Sequence, residues 1–369
     1  MSTTAFSRTI SFVLVVALVC AALDASAAPG KGKPGTTVSH TARQARPIPL
    51  GVSGGGLSDL ANGYCCSGTL GALVQDVNGV QYILSNTHVF AGDSVSGGNG
   101  LVSQVGDAVN QPGYVDVSCD DIAADYVASV SNWMPLPPGG TGVVDAAIAQ
   151  VIPGAVDPLG SILEIGTISS TTVPAFLNQA VKKSGRTSGL TRGSVVGLDA
   201  TISVSYSDEC AGNSFVTTFN GQILVSPGRF LKGGDSGSLM VEDVASNPRA
   251  VGLLYAGSTR IAVAAPIGDA LNAFGVELVG TPSTSASSTS EASSTTAAVQ
   301  RAARAKAAHA AELASIPGAV GHAVGLGGGN AAVIQVLVEA ITPEARQAKP
   351  ATADGVPVVL MEVGKVVAY

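Results

Sequence analysis

The chain reads as an all-β protein followed by a small α/β segment, and three observations predict this. Between about Pro47 and Gly280 the apolar residues come in short runs, each broken by Gly, Asn, Asp or Pro. This is the texture of strands joined by turns. No amphipathic helical period occurs in that region before Ile267–Phe274. Aromatics make up only 4% of the 369 residues, so the core must be aliphatic, while the 46 glycines supply the turns.

Residues 1–27 form an expected export signal: Arg8 precedes an apolar run over 10–23, and Ala25-Ser26-Ala27 offers a small-residue cleavage site. That run is short for a membrane span, and no later run is longer, so no integral membrane segment is expected after signal removal. Residues 28–46, with Pro29-Gly30-Lys31-Gly32-Lys33-Pro34-Gly35, read as a flexible leader. Strands are expected at 69–74, 81–84, 146–151, 193–204, 222–225, 238–241 and 250–255, with Asp76-Val77-Asn78-Gly79 as a hairpin turn. Many short strands with such turns fit a β-barrel or sandwich. The net charge of −7, without any run of Lys and Arg, argues against nucleic acid as a partner.

Export permits disulfides. Cys65, Cys66, Cys119 and Cys210 follow the signal. Adjacent Cys65 and Cys66, about 3.8 Å apart at Cα, would form a strained bridge. The polar loops around Cys119 and Cys210 favour pairing those two.

Gly233-Gly234-Asp235-Ser236-Gly237-Ser238 has the make-up of a nucleophile loop. Glycine lets the chain curl so that the N–H groups of Gly234 and Ser236 converge on one point, an oxyanion hole, and Gly237 leaves room beside the hydroxyl. Serine needs a base and an orienting acid to act at neutral pH. His88, just past an apolar run, is the base candidate, although a lone histidine at a strand end is commonly structural. Asp145 opens a run of small and apolar residues, where a carboxylate is costly to bury without a donor. Asp116, Asp120, Asp121 and Asp125 compete for the role but lie in a polar loop and are expected to be solvated. Their spacing fits no EF-hand loop, so a calcium site there is weakly supported. No metal or other cofactor is expected.

The order His88, Asp145, Ser236 resembles that of the chymotrypsin/trypsin-like serine peptidases, especially the bacterial branch that includes alpha-lytic protease and the streptogrisins. Ser85-Asn86-Thr87-His88, Val144-Asp145-Ala146-Ala147-Ile148 and Gly234-Asp235-Ser236-Gly237-Ser238 resemble the family's His, Asp and Ser motifs. The run Ala180-Val181-Lys182-Lys183-Ser184-Gly185-Arg186-Thr187-Ser188-Gly189 is similar to a segment of the bacterial branch. The resemblance implies a double six-stranded β-barrel over residues 47–280, with the triad in the cleft between barrels. It implies an exported serine endopeptidase acting on polypeptides through an acyl-enzyme. The alternatives are a non-catalytic binding or adhesion protein on the same fold, and a peptidase limited to self-cleavage.

By the same resemblance Phe230 lies at the base of the substrate pocket, and Tyr255, Ala256 and Gly257 form its wall. With no acid at the base, the expected preference is apolar or small rather than basic. Lys183 is expected to pair with Asp235, with Arg186 as the alternative cation. Two departures from the family are Lys182 and Arg192, which stand where the bacterial enzymes have a disulfide, and Ser238, which replaces a glycine.

Residues 281–296 read as a Ser/Thr-rich linker. Over 297–369 an Ala-rich helix (297–315) ends at Pro317-Gly318, followed by strands at 319–326, 331–340 and 356–368 and a short helix at 343–348. Gly325 to Asn330 lacks the Lys-Ser/Thr of a phosphate loop and reads as a hairpin turn. The module resembles small α/β domains attached to bacterial peptidases. The polar linker predicts that it folds independently of 47–280.

Overall fold

The computed structural model describes residues 38–57, 60–61, 64–92, 103–207, 214–282 and 292–369. The expected export signal, Cys210 and most of the expected Ser/Thr-rich linker lie outside the described residues.

Two curled β-sheets form the body. In the first, Val52–Gly56 pairs with both Gly68–Leu70 and Ala108–Asn110. The sheet continues through Tyr126–Trp133, Ala147–Val151 and Gln81–Ser85 to Ala72–Gln75. Gly68–Leu70 and Ala72–Gln75 are one run of chain bent at Gly71, so the six strands close on themselves. The 69–74 strand expected from sequence is broken there for a steric reason. A Cβ on residue 71 would stand 2.0 Å from the Gly237 carbonyl oxygen, so the strand bends where the Ser236 loop presses on it.

The second barrel runs Gly189–Tyr206, Ala180–Gly185, Leu239–Glu242, Ala250–Gly257, Ala262–Pro266, Phe215–Ser226. It closes because Gly189–Tyr206 also pairs antiparallel with Phe215–Ser226. The fold is therefore a trypsin-like double β-barrel. Lys182 and Arg192 face each other across a strand pair, and each bonds elsewhere: Lys182 Nζ donates to the Val244 carbonyl at 2.6 Å, and Arg192 meets Asp243 at 3.2 Å.

Residues 39–46 differ from the flexible leader expected. They dock on the first barrel: His40 Nδ1 lies 2.7 Å from the Gly51 carbonyl, and Arg43 makes a two-pronged pair with Asp125 at 2.5 and 2.6 Å. The disulfide also differs. Cys119 is bonded to Cys65, with Cα atoms 5.6 Å apart, and so not to Cys210. The turn over Tyr114–Val117 brings Cys119 there: the Val115 N–H donates to Ser67 Oγ, two residues past Cys65, at 3.0 Å.

The C-terminal segment has helix Pro343–Ala348 and strands Ala319–Leu326 and Ala332–Val338 about where expected. The helix expected over 297–315 is instead two, Ala292–Ala308 and Ala310–Ala314. The strand expected over 356–368 stops at Glu362, with Val367–Ala368 pairing separately with Ala250–Gly257. Its attachment differs from that of an independent module. Ala319–Leu326 pairs with Gly189–Tyr206, extending the second sheet. Ala323, Leu337, Val363 and Val366 belong to the main hydrophobic core. A second cluster, including Ala302, Ala305, Ile334 and Val336, packs the Ala292–Ala308 helix over these strands. The linker's polarity could not report this, because attachment is made by the strands beyond it.

Ending the chain after Thr281 would expose one edge of Gly189–Tyr206 and remove four side chains from the main core. Each buried Val or Leu is worth about 1.5–3 kcal/mol. The 39–281 fragment should therefore unfold at clearly lower denaturant concentration than the full chain, or fail to fold. A midpoint equal to that of the full chain would show that the segment is separable.

Candidate active site

The site forms where the two barrels meet. Asn86, Thr87 and His88 follow the Gln81–Ser85 strand into one short helical turn, Thr87–Phe90. That turn is tied to the Asp145 segment. Asn86 Nδ2 donates to the Asp145 carbonyl at 2.7 Å, and Thr87 Oγ1 bonds to the Ala146 carbonyl at 2.8 Å. His88 Nδ1 then meets Asp145 Oδ2 at 2.6 Å. Asp145 is fully buried yet well supplied with donors: the Tyr206 hydroxyl donates to Oδ2 at 2.9 Å and the His88 N–H to Oδ1 at 3.3 Å.

Burial pushes the His88 imidazole pKa down, but the Asp145 charge, its hydrogen bond and a carbonyl of Tyr369 outweigh this and hold it above the ordinary 6.5. Burial and the nearby Asp145 charge raise Tyr206 well above the usual tyrosine range, so it remains a donor. Its ring also packs edge-on against His88, with centroids 5.9 Å apart.

Ser236 lies in a loop held from both sides. From the first barrel, the Thr69 N–H donates to the Ser236 carbonyl at 2.8 Å, and Thr69 Oγ1 to the Gly234 carbonyl at 2.9 Å. Gly237 is needed for close approach rather than for the space beside the hydroxyl expected from sequence. At φ +91° a Cβ there would meet Ser85 Oγ at 2.2 Å and the Thr69 carbonyl oxygen at 2.3 Å. From the second barrel, Asp235 Oδ1 accepts the N–H groups of Thr187 and Ser188 at 2.9 and 3.0 Å. Its Oδ2 accepts from Lys232 N–H at 3.0 Å and from Ser188 Oγ.

Lys183 Nζ stands 3.0 Å from Asp235 Oδ2, with both side chains fully buried. Burial pushes the lysine pKa down, opposed by the Asp235 charge. Arg186 is engaged elsewhere, by Asp116 at 2.6 and 2.7 Å. The N–H groups of Asp235, Gly237 and Ser238 bond to Lys232, Leu254 and Asp235 carbonyls. Those of Gly234 and Ser236 have no protein acceptor among the described residues.

The remaining candidates fall into place differently. Phe230 is fully buried in an apolar cluster with Val181, Val225 and Leu254. Tyr255 turns its ring into the core against Phe219, at 5.2 Å between centroids. It is the Tyr255 carbonyl that faces the cleft, where it accepts from Ser236 Oγ at 2.9 Å. Asp120 and Asp121 are exposed as expected, Asp121 accepting from the Tyr114 and Tyr126 hydroxyls, whereas Asp125 is buried against Arg43 and the half-buried Asp116 is held by Arg186. Among the described residues no group of three or more His, Cys, Asp and Glu could hold a metal ion. Sequence reasoning missed Tyr206. The signal was a hydroxyl closing the inward-facing row Ala200, Ile202, Val204, Tyr206.

Residues 145–265 match the model of the Nal1 C-terminal domain. A solved glutamic acid specific serine protease is 20% identical, over 63% of this chain and 100% of its own, at a TM-score of 0.41. A Nocardiopsis protease is 17% identical, over 63% and 98%, at 0.42, and Cellulomonas bogoriensis chymotrypsin 19%, over 58% and 91%, at 0.38. None of the curated proteins is similar in sequence.

Two measurements check this geometry. Lys183→Ala leaves Asp235 as a buried charge without its cation, and should cost about 3–5 kcal/mol in a denaturant melt. An unchanged midpoint would show the pair to be dispensable. The second is an NMR titration of His88, with a midpoint expected above 6.5. A histidine pKa raised on folding contributes stability that is complete below 6.5 and is lost as pH rises through the folded value. Asp145→Asn removes the raising charge, so burial should win and the midpoint should fall. A midpoint that stays put would detach His88 from Asp145.

Proposed function

We propose that the protein is a serine endopeptidase, with Ser236 as nucleophile, His88 as base and Asp145 as the group that orients the imidazole. The observation that carries this reading is the 2.6 Å contact of His88 Nδ1 with the buried Asp145. It leaves Nε2 turned away from Asp145 and available to serve as a base, and the Ser236 loop also has two N–H groups with no protein acceptor among the described residues.

The chemistry follows from that arrangement. His88 Nε2 takes the Ser236 proton as Oγ attacks a peptide carbonyl, and Asp145 stabilises the imidazolium that forms. The N–H groups of Gly234 and Ser236 receive the oxyanion. One such donor is typically worth about 10²–10³ in rate. The imidazolium then gives its proton to the leaving amine, and water hydrolyses the acyl-enzyme by the same route.

Lys183 and Asp235 serve the reaction by holding the loop's conformation, not by touching substrate. Phe230 contributes to the apolar floor of the substrate pocket, while the backbone of Tyr255, Ala256 and Gly257 lines its entrance. A polypeptide is the substrate this cleft suits. The Cys65–Cys119 disulfide supports an oxidising, extracytoplasmic location. No described helix is long and apolar enough to cross a membrane.

Prolonged incubation with a fluorophosphonate should add one label, on Ser236, because an irreversible reagent accumulates on even a transiently open site. Ser236→Ala should abolish labelling, and His88→Ala should slow it by about 10²–10⁴-fold, the usual worth of a positioned base. Equal labelling of His88→Ala and the parent protein would remove His88 from the mechanism.

A further inference from the structure

The chain beyond Glu362 returns across the cleft, and residues 367–369 lie in it. The approach is anchored. Arg260 meets Glu362 at 2.5 Å, Ser258 Oγ donates to the Val363 carbonyl at 2.5 Å, and the Ser205 N–H donates to the Val366 carbonyl at 3.1 Å. Val363 and Val366 are buried, whereas Val367, Ala368 and Tyr369 are only half-buried.

Three features of residues 367–369 match what the centre needs from a substrate. Val367–Ala368 adds antiparallel to Ala250–Gly257, with Ala368 opposite Ala256 and Val367 opposite Gly257. The Tyr369 N–H extends the pairing to the Tyr255 carbonyl at 3.3 Å. Strand addition of this kind binds any peptide backbone, and side-chain pockets add selectivity. Next, the Tyr369 carbonyl oxygen lies 3.1 Å from His88 Nε2, within reach of the base. Finally, the Tyr369 side chain lies against Gly257 and packs on the apolar cluster that contains Phe230. A Cβ on residue 257 would stand 3.0 Å from its Cε2 atom. With the segment in place the Ser236 hydroxyl bonds to the Tyr255 carbonyl, and His88 Nε2 to Tyr369 instead of Ser236.

We propose that residues 367–369 occupy the substrate site of this chain's own active centre, as a cis-acting competitive inhibitor, and that Tyr369 marks the pocket as one for aromatic side chains. The inference rests on the peptidase reading. A substrate needs the same edge of Ala250–Gly257, the same Tyr255 carbonyl and the same space over Gly257, so substrate and segment exclude each other. Tethering makes the block effective, because a short link holds a weakly binding peptide at an effective concentration of about millimolar. The anchors at Val363 and Val366 hold the chain on the near side of residues 367–369, so these three can lift while the core stays intact.

The test uses the full-length protein and two variants with circular-dichroism spectra like the parent's. Val367→Pro cannot donate to the strand ladder, and Tyr369→Gly empties the pocket. Both should label on Ser236 with a fluorophosphonate at least about tenfold faster than the parent, as expected for loss of a tethered competitor. A synthetic Lys-Val-Val-Ala-Tyr peptide should slow the labelling of Tyr369→Gly again. Given a peptide library, that variant should cut mainly after Tyr or Phe. Equal labelling rates in all three proteins would overturn the inhibition and leave the peptidase reading standing. Dominant cleavage after Lys, Arg or Glu would overturn the aromatic pocket. No Ser236 label even in Tyr369→Gly would overturn the peptidase reading and this inference with it.

Discussion

The site depends on one buried carboxylate, that of Asp235. A charge with no access to water is tolerable only where donors surround it. Here backbone N–H groups of Thr187, Ser188 and Lys232, the Ser188 hydroxyl and the Lys183 ammonium do so. Satisfying Asp235 in this way leaves the loop little conformational choice. Its neighbours on either side, Gly234 and Ser236, are left with N–H groups that have no protein acceptor among the described residues. The other face of the loop is fixed by Thr69, whose backbone N–H and hydroxyl bind the Ser236 and Gly234 carbonyls. Ser236 is thus clamped between barrels, and His88 arrives on a helical turn already tied to Asp145. Preorganisation of this kind is what a hydrolytic centre requires, since donors fixed in advance need no rearrangement as charge develops.

The segment at 367–369 gives this centre a second property. It uses the edge that a substrate would use, and it is connected through Val363 and Val366 to the core shared with the second barrel. The strands over 319–362 therefore extend the barrel and also position an occupant of its cleft. The Tyr369 carbonyl favours the protonated form of His88. Occupation of the site and loss of the free base accordingly go together.

Much of the site was legible because its chemistry is local in the chain. Asn86, Thr87 and His88 are contiguous, as are Gly234 to Ser236, and each run carries backbone and side-chain requirements at fixed spacing. Lys183 could be read as the partner of Asp235 only through a resemblance, since nothing in its spacing reports the contact. The double barrel was legible from the strand texture together with the same resemblance. What escaped depends on contacts between distant residues. Tyr206 reaches Asp145 across 61 positions and Tyr369 reaches His88 across 281. Cys119 meets Cys65 rather than Cys210 because a turn carries it there, and a polar linker said nothing of the strand pairing that follows it. The docking of residues 39–46 was hidden for the same reason: a Gly/Pro-rich start does not reveal an Arg43 that reaches a buried Asp125.

The central claim is that Ser236 forms a covalent acyl intermediate with its hydroxyl activated by His88. The most direct measurement is intact-mass and peptide-mass analysis of the Tyr369→Gly protein quenched in acid moments after mixing with an N-acyl-tyrosine p-nitrophenyl ester. The account predicts one acyl-tyrosyl group per molecule, on the peptide carrying Ser236, formed in a burst with p-nitrophenolate and absent from Ser236→Ala. Release of p-nitrophenolate with no acyl group on that peptide, or with the same acylation in Ser236→Ala, would contradict it.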